Sequence, residues 1–227
     1  MNDDVTRRLY DFIEKDNALE MEQRLEYYRY LVETQGETQS FEEFAKIYGG
    51  LGAFGSPVAD AVIEDFGPAI PFPGDLVTFY RTHGSLRGLE RQLYVTIFDL
   101  GTLNQNRTET YNKPLFRSLG LVDMIEYLWG DRDQITPASG GSMFTPQQID
   151  HLNQTYQVIG YWVDANETTE ALHLLYYDST GQFGIAYVHQ DEWAIAHLLE
   201  TSRAQYSLEE ALAIYLDTME SFESGED

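Results

Sequence analysis

Residues 171–191, ALHLLYYDSTGQFGIAYVHQD, carry the reading on which the fold turns. Two runs rich in β-branched and aromatic residues, Leu172 to Tyr177 and Phe183 to Val188, flank Asp178-Ser179-Thr180-Gly181. Asp and Ser side chains bond nearby backbone, and Gly adopts the positive φ that a tight turn needs. Strand, turn and strand in that order predict a hairpin. Tyr156 to Val163, just upstream, has the same composition and predicts a third strand.

Outward from this core, Ser207-Leu208-Glu209-Glu210 is a capping-box pattern. It opens a final helix with Leu208, Ala211, Leu212 and Tyr215 on one face, and residues 223–227 form a frayed acidic tail. Upstream, Thr145-Pro146-Gln147-Gln148 opens a helix to about residue 155. A helix over 119–129 turns Leu121, Ile125 and Leu128 inward. Residues 101–117 and 130–144 read as loops, and Leu93 to Phe98 as a strand.

The next landmark is AIPFPGDLVTFYRTHG, residues 69–84. Pro73 suits a first helical turn, and Asp75 sits near the positive end of the helix dipole. Leu76, Phe79 and Tyr80 share one face, and Gly84 closes the helix. His83 falls in the last turn, so every residue has a structural role. His83→Ala is expected to leave folding nearly intact. A short helix over 58–66 precedes this stretch, and the glycine-rich GGLGAFGSP before it reads as a linker. That linker lacks the Gly-Lys-Ser/Thr ending of a phosphate loop.

At the N-terminal end, residues 4–34 read as helix, broken near Asp16-Asn17. Leu9, Phe12 and Ile13 make one apolar face; Leu25, Tyr28, Leu31 and Val32 make another. Tyr27, Tyr28 and Tyr30 are expected to pack against the main domain. Ser40 with Glu43 caps a second short helix ahead of Phe44 and Ile47.

Composition narrows the chemistry. The 227 residues contain no cysteine, which removes disulfides, thiolate nucleophiles and cysteine-based zinc sites. The start, MNDDVTRRLYDF, has no apolar h-region, so a cytoplasmic location is expected. Glycosylation-like triplets at Asn106, Asn153 and Asn166 are then accidental. A net charge of −24 argues against nucleic acid and against an anionic membrane surface.

The charge is unevenly spread. There is no Lys or Arg between Arg132 and Arg203, while Arg7, Arg8, Lys15, Arg24 and Arg29 intersperse the early acids. The bland explanation is solubility; the sharper one is a basic protein partner. The partner-binding candidates are Asp164, Glu167, Glu170, Asp178, Asp191 and Glu192, in the late strands and their connections. Glu20 and Glu22, in the mixed region, are expected to matter much less.

Catalytic patterns are weak. His189, Asp191 and Glu192 match no metal-ligand spacing, and Asp131 with Asp133 lacks the other ligands of a calcium loop. Ser139-Gly140-Gly141-Ser142 is not a nucleophile elbow. No catalytic residue, metal or cofactor is expected; a hydrolase using His83 or His189 is the third choice of function.

AIPFPGDLVTFYRTHG resembles the proline-led helix ending in a glycine turn that marks the SUKH superfamily. That group includes fungal cell-wall-assembly regulators and many bacterial toxin-immunity proteins. The order downstream is similar: LYVTIFDL, then ALHLLYYDSTGQFGIAYVHQD, then the terminal SLEEALAIYLDTMESF. The resemblance covers roughly residues 50–222. It departs in the helical extension over 1–48, in a helical insertion over about 118–155, and in the ending THG of the first motif helix. It implies an α+β domain with a largely antiparallel sheet flanked by helices. It implies binding rather than catalysis: an immunity protein that neutralises a basic, nuclease-type toxin, or alternatively a regulatory scaffold.

Overall fold

A computed structural model describes residues 3–47, 50–88, 95–107, 109–110, 113–114, 116–129, 144–162, 171–189 and 193–224. Its centre is a six-stranded antiparallel sheet, and the fold is α+β. The strands are β1 (Ala53–Phe54), β2 (Leu86–Arg87), β3 (Thr96–Ile97), β6 (Gln157–Trp162), β7 (Ala171–Tyr177) and β8 (Phe183–His189), adjacent in that order. A separate two-stranded ribbon joins β4 (Glu109–Thr110) to β5 (Lys113–Pro114).

The hairpin at 171–189 forms as its turn chemistry predicts. Tyr177 pairs with Phe183, and Gly181 takes φ +77°. Asp178 organises the turn: its carboxylate accepts bonds from the Thr180 N–H, the Thr180 hydroxyl and the Ser202 hydroxyl. Leu174, Leu175, Tyr176, Tyr177 and Phe183 are fully buried, because helices cover this part of the sheet on both sides. β8 extends its pairing at one end only as far as Tyr206, which exchanges backbone bonds with Phe183.

Eight α-helices among the described residues surround the sheet: α1 (Asp3–Gln35), α2 (Phe41–Lys46), α3 (Asp60–Phe66), α4 (Gly74–His83), α5 (Leu100–Gln105), α6 (Leu121–Trp129), α7 (Pro146–Thr155) and α8 (Leu208–Ser224). A 3-10 helix, Trp193–Leu199, follows β8. The capping boxes at Ser40, Thr145 and Ser207 all form, each with its Glu or Gln reaching back to the cap N–H. None of these helices is long and apolar enough to cross a membrane.

Four expectations change. α1 is continuous through Asp16-Asn17. Asn17 favours breaks in isolation, but here its amide bonds Gly52 through both O and N, at 2.8 Å each. That satisfies the side chain outside the helix and leaves the helical ladder intact. The GGLGAFGSP stretch is not a free linker, since it contains β1, which pairs with β2. A Cβ at Gly55 would displace the Ser85 hydroxyl and press on the Ser85 N–H at 3.1 Å, so the strand approach there is close.

The described residues within 101–117 include regular structure where a loop was expected. Asp99 accepts the Thr102 N–H at 2.6 Å and starts α5, and the β4–β5 ribbon follows. Gly101 and the two asparagines hid this helix from propensity reasoning. Finally, Tyr27 and Tyr30 do not pack on the main domain; both are about half exposed. Tyr28 turns inward, against Phe41 and Phe44, with its hydroxyl donating to the Gln39 carbonyl, and the Tyr27 ring meets Phe44 at 6.0 Å.

The region between β3 and β6 contains α5, the β4–β5 ribbon, α6 and α7, yet β3 and β6 are sheet neighbours. α6 and α7 lock together through Asn153, whose side-chain oxygen accepts the N–H groups of Val122 and Asp123 at the start of α6. Asn106 likewise donates to the Tyr127 hydroxyl at 3.0 Å. Two of the three glycosylation-like asparagines therefore have structural work; Asn166 lies outside the described residues.

Candidate functional site

Three places can carry function: the α4 histidine, a cleft on the sheet, and the sheet end that bears the acidic segments.

α4 forms from its own sequence. Leu76, Phe79 and Tyr80 are buried on one face, and Gly84 ends the helix with φ +66°. His83 lies in a cage of rings, with centroids 4.7 Å from Phe54, 5.4 Å from Phe79 and 6.1 Å from Tyr10. Burial among them disfavours the imidazolium and lowers the pKa from its ordinary value. This corrects the expectation that His83→Ala is nearly neutral: the ring is part of a packed cluster, and its removal leaves a cavity.

The cleft has a volume of about 440 Å³ and opens over β1, β2 and β3 beneath α5 and Tyr127. Leu86, Ile97 and Leu103 form its buried floor. The polar groups at its wall already serve the fold. Arg87 donates to the Leu51 carbonyl at 2.8 Å, Asp99 caps α5, and the Tyr127 hydroxyl accepts from Asn106. The walls can hold an apolar group. Nucleophilic catalysis uses a nucleophile hydrogen-bonded to a base, and the lining side chains make no such bond among the described contacts.

The sheet end is fixed by register. Trp162 pairs with His173, and Ala171 pairs with His189. β6 therefore finishes, β7 begins and β8 finishes side by side. An aromatic row crosses the three strands there: Trp162 stacks on His173 at 5.6 Å with planes 6° apart, and Tyr187 meets His173 edge-on at 5.1 Å. Trp162 also packs on Tyr215 of α8, which fixes the row to the core.

Asp164, Glu167 and Glu170 fall between β6 and β7, and Asp191 and Glu192 fall just after β8; all five lie outside the described residues. The strands to which those segments connect nevertheless end together. Asp178 belongs elsewhere. It is 3% exposed, at the far end of the seven-residue strand β7, and is bonded within its own turn and to Ser202. A seven-residue strand spans roughly 20 Å, which separates Asp178 from the end where β6 and β8 finish. Asp178 is therefore not the exposed partner-binding charge expected from the sequence but an internal acceptor.

Glu20 is an interior residue. It is buried and pairs with Arg24 at 2.6 Å, and Arg24 in turn donates to the Ala45 carbonyl. The spacing i, i+4 was visible in the sequence, but its burial required α2 to close over it. Among the described residues no three His, Asp or Glu side chains gather in a way that could hold a metal ion.

No protein-family model, curated protein or solved structure matches the chain.

Proposed function

We propose that the chain is a non-catalytic protein-binding domain that neutralises a basic partner, an immunity protein acting on a nuclease-type bacterial toxin in the cytoplasm. The observation that carries this reading is the charge. The net charge is −24, and the segment between Arg132 and Arg203 contains no Lys or Arg. A nuclease must present cationic side chains to phosphates, and an acidic protein surface can compete for them. The sequence resemblance to SUKH immunity proteins points the same way. A common acidic surface is supported by the strand register, since the segments bearing Asp164, Glu167, Glu170, Asp191 and Glu192 all connect to one end of β6, β7 and β8.

The test is co-expression with the product of the neighbouring reading frame. Suppressed lethality, with a complex that survives purification at low salt and weakens as salt rises, supports the proposal. If the purified proteins do not associate at low ionic strength, the proposal is rejected.

A further inference from the structure

We propose that the outer half of α1, backed by α2, is a docking surface for an arginine-bearing face of a partner protein. This rests on the reading above that the partner is basic, and it adds a surface which that reading did not contain.

The geometry starts from where α1 leaves the body. Val5 and Leu9 enter the main core, and Phe12 and Ile13 pack against it; the next residues in the chain to do so are Phe54 and Val58. Asn17 holds Gly52 at the point of departure. From Asn17 to Gln35 the helix continues for about 27 Å at 1.5 Å per residue. Its inner side is covered by α2 through the Glu20–Arg24 pair, Tyr28 and the buried Phe44. α2 thus stiffens the arm and leaves the other side open.

That open side has a definite chemistry. Leu19, Glu22, Glu26, Tyr30 and Glu33 follow one another in steps of three or four, which places them on one helical stripe. All five are exposed. Tyr27 lies at the edge of the stripe, its ring 6.3 Å from that of Tyr30 with the planes 15° apart and 6.0 Å from Phe44 of α2, and the exposed Arg29 borders the stripe beside Glu26 and Glu33. Exposed, stacked phenols among carboxylates match a guanidinium. Arginine lays its plane on an aromatic face and forks its N–H groups onto a carboxylate, whereas an ammonium is only a point charge. A second copy of this chain fits poorly, because it would bring like carboxylates together in a molecule already at −24.

The probe is a labelled nonapeptide alternating arginine and alanine, set against its lysine counterpart of equal charge. Both are titrated into the full chain at low salt. The wild type is expected to bind the arginine peptide severalfold more tightly than the lysine one. Tyr27→Ser/Tyr30→Ser should lose about tenfold for the arginine peptide and abolish the preference. Glu26→Lys/Glu33→Lys should weaken both peptides, and it provides an independent arm if the tyrosine variant folds poorly. Glu64→Gln/Asp65→Asn, exposed on α3, should leave the arginine preference in place. If the peptides bind but neither α1 variant alters binding, the arm is rejected and the basic-partner reading stands. If the wild type binds neither peptide, both are rejected. A wild-type dimer that Tyr30→Ser dissociates would overturn the arm in favour of self-association.

Discussion

Gly84 shows how much a single position can hold. Its φ of +66° is unfavourable for any side chain, and a Cβ there would overlap the Ser56 carbonyl oxygen. Backbone meets backbone at that point, so neither side can yield. Gly84→Ala should cost at least about 3 kcal/mol, read as a lower urea midpoint. Gly74, at the other end of α4, has no atom within 4 Å of its Cβ position, and Gly74→Ala should change stability by less than about 1 kcal/mol.

His83 is the other informative residue. Burial lowers its pKa in the folded chain, while the unfolded chain titrates near the ordinary value of about 6.5. Between those two values the unfolded state binds the extra proton. Stability from this group is therefore fully present above about pH 6.5 and falls as the pH drops towards the folded pKa. Denaturant melts at pH 7.5 and pH 5 should show a larger loss in wild type than in His83→Phe, which fills the ring cage without titrating. Equal losses would show that the imidazole is solvated.

At the scale of elements, the arm and the sheet are held by different forces. The sheet is an apolar core; the arm depends on a buried ion pair between Glu20 and Arg24, both about a tenth exposed or less. Removing one partner of such a pair strands the other charge, at a cost of roughly 3–5 kcal/mol. Arg24→Met should therefore release the arm locally. Hydrogen exchange should show lost protection over residues 20–46, with β6, β7 and β8 unchanged. Glu20→Leu/Arg24→Met should restore most of that protection, because no charge is left buried. Loss of protection throughout the sheet would mean that arm and core unfold as one unit.

Legibility follows the same division. The helices at 146–155 and 208–224 were readable because caps and apolar period agree locally, and the one at 121–129 from its apolar period alone. α5 was not readable, since Gly101 and Asn104 argue against a helix and the decisive contribution is burial of Leu100 and Leu103.

For the whole molecule, the −24 charge makes two opposite predictions about salt. Self-repulsion is relieved by screening, so raising sodium chloride from about 10 to 200 mM should raise the melting temperature. Association with a basic partner should slow over the same range. Glu167→Lys/Glu170→Lys should slow association at low salt and flatten its salt dependence. Glu64→Lys/Asp65→Lys on α3 is the appropriate control, because Glu20 is buried in its ion pair. Equal on-rates for the wild type and the Glu167/Glu170 variant across the salt series would leave solubility as the role of that charge.

By itself, the sequence determined the antiparallel hairpin at 171–189, the capped helices and the one-signed charge after Arg132. Those features depend on neighbours a few residues away, or on composition alone. Only the tertiary structure decided that α1 is unbroken, that Asp178 and Glu20 are interior, that His83 sits among rings, and that Tyr27 and Tyr30 are half exposed. The physical reason is that burial is a property of what folds over a residue. Asn17 meets Gly52, Asp178 meets Ser202 and Arg24 meets Ala45 only after distant segments close, and no local pattern encodes those meetings.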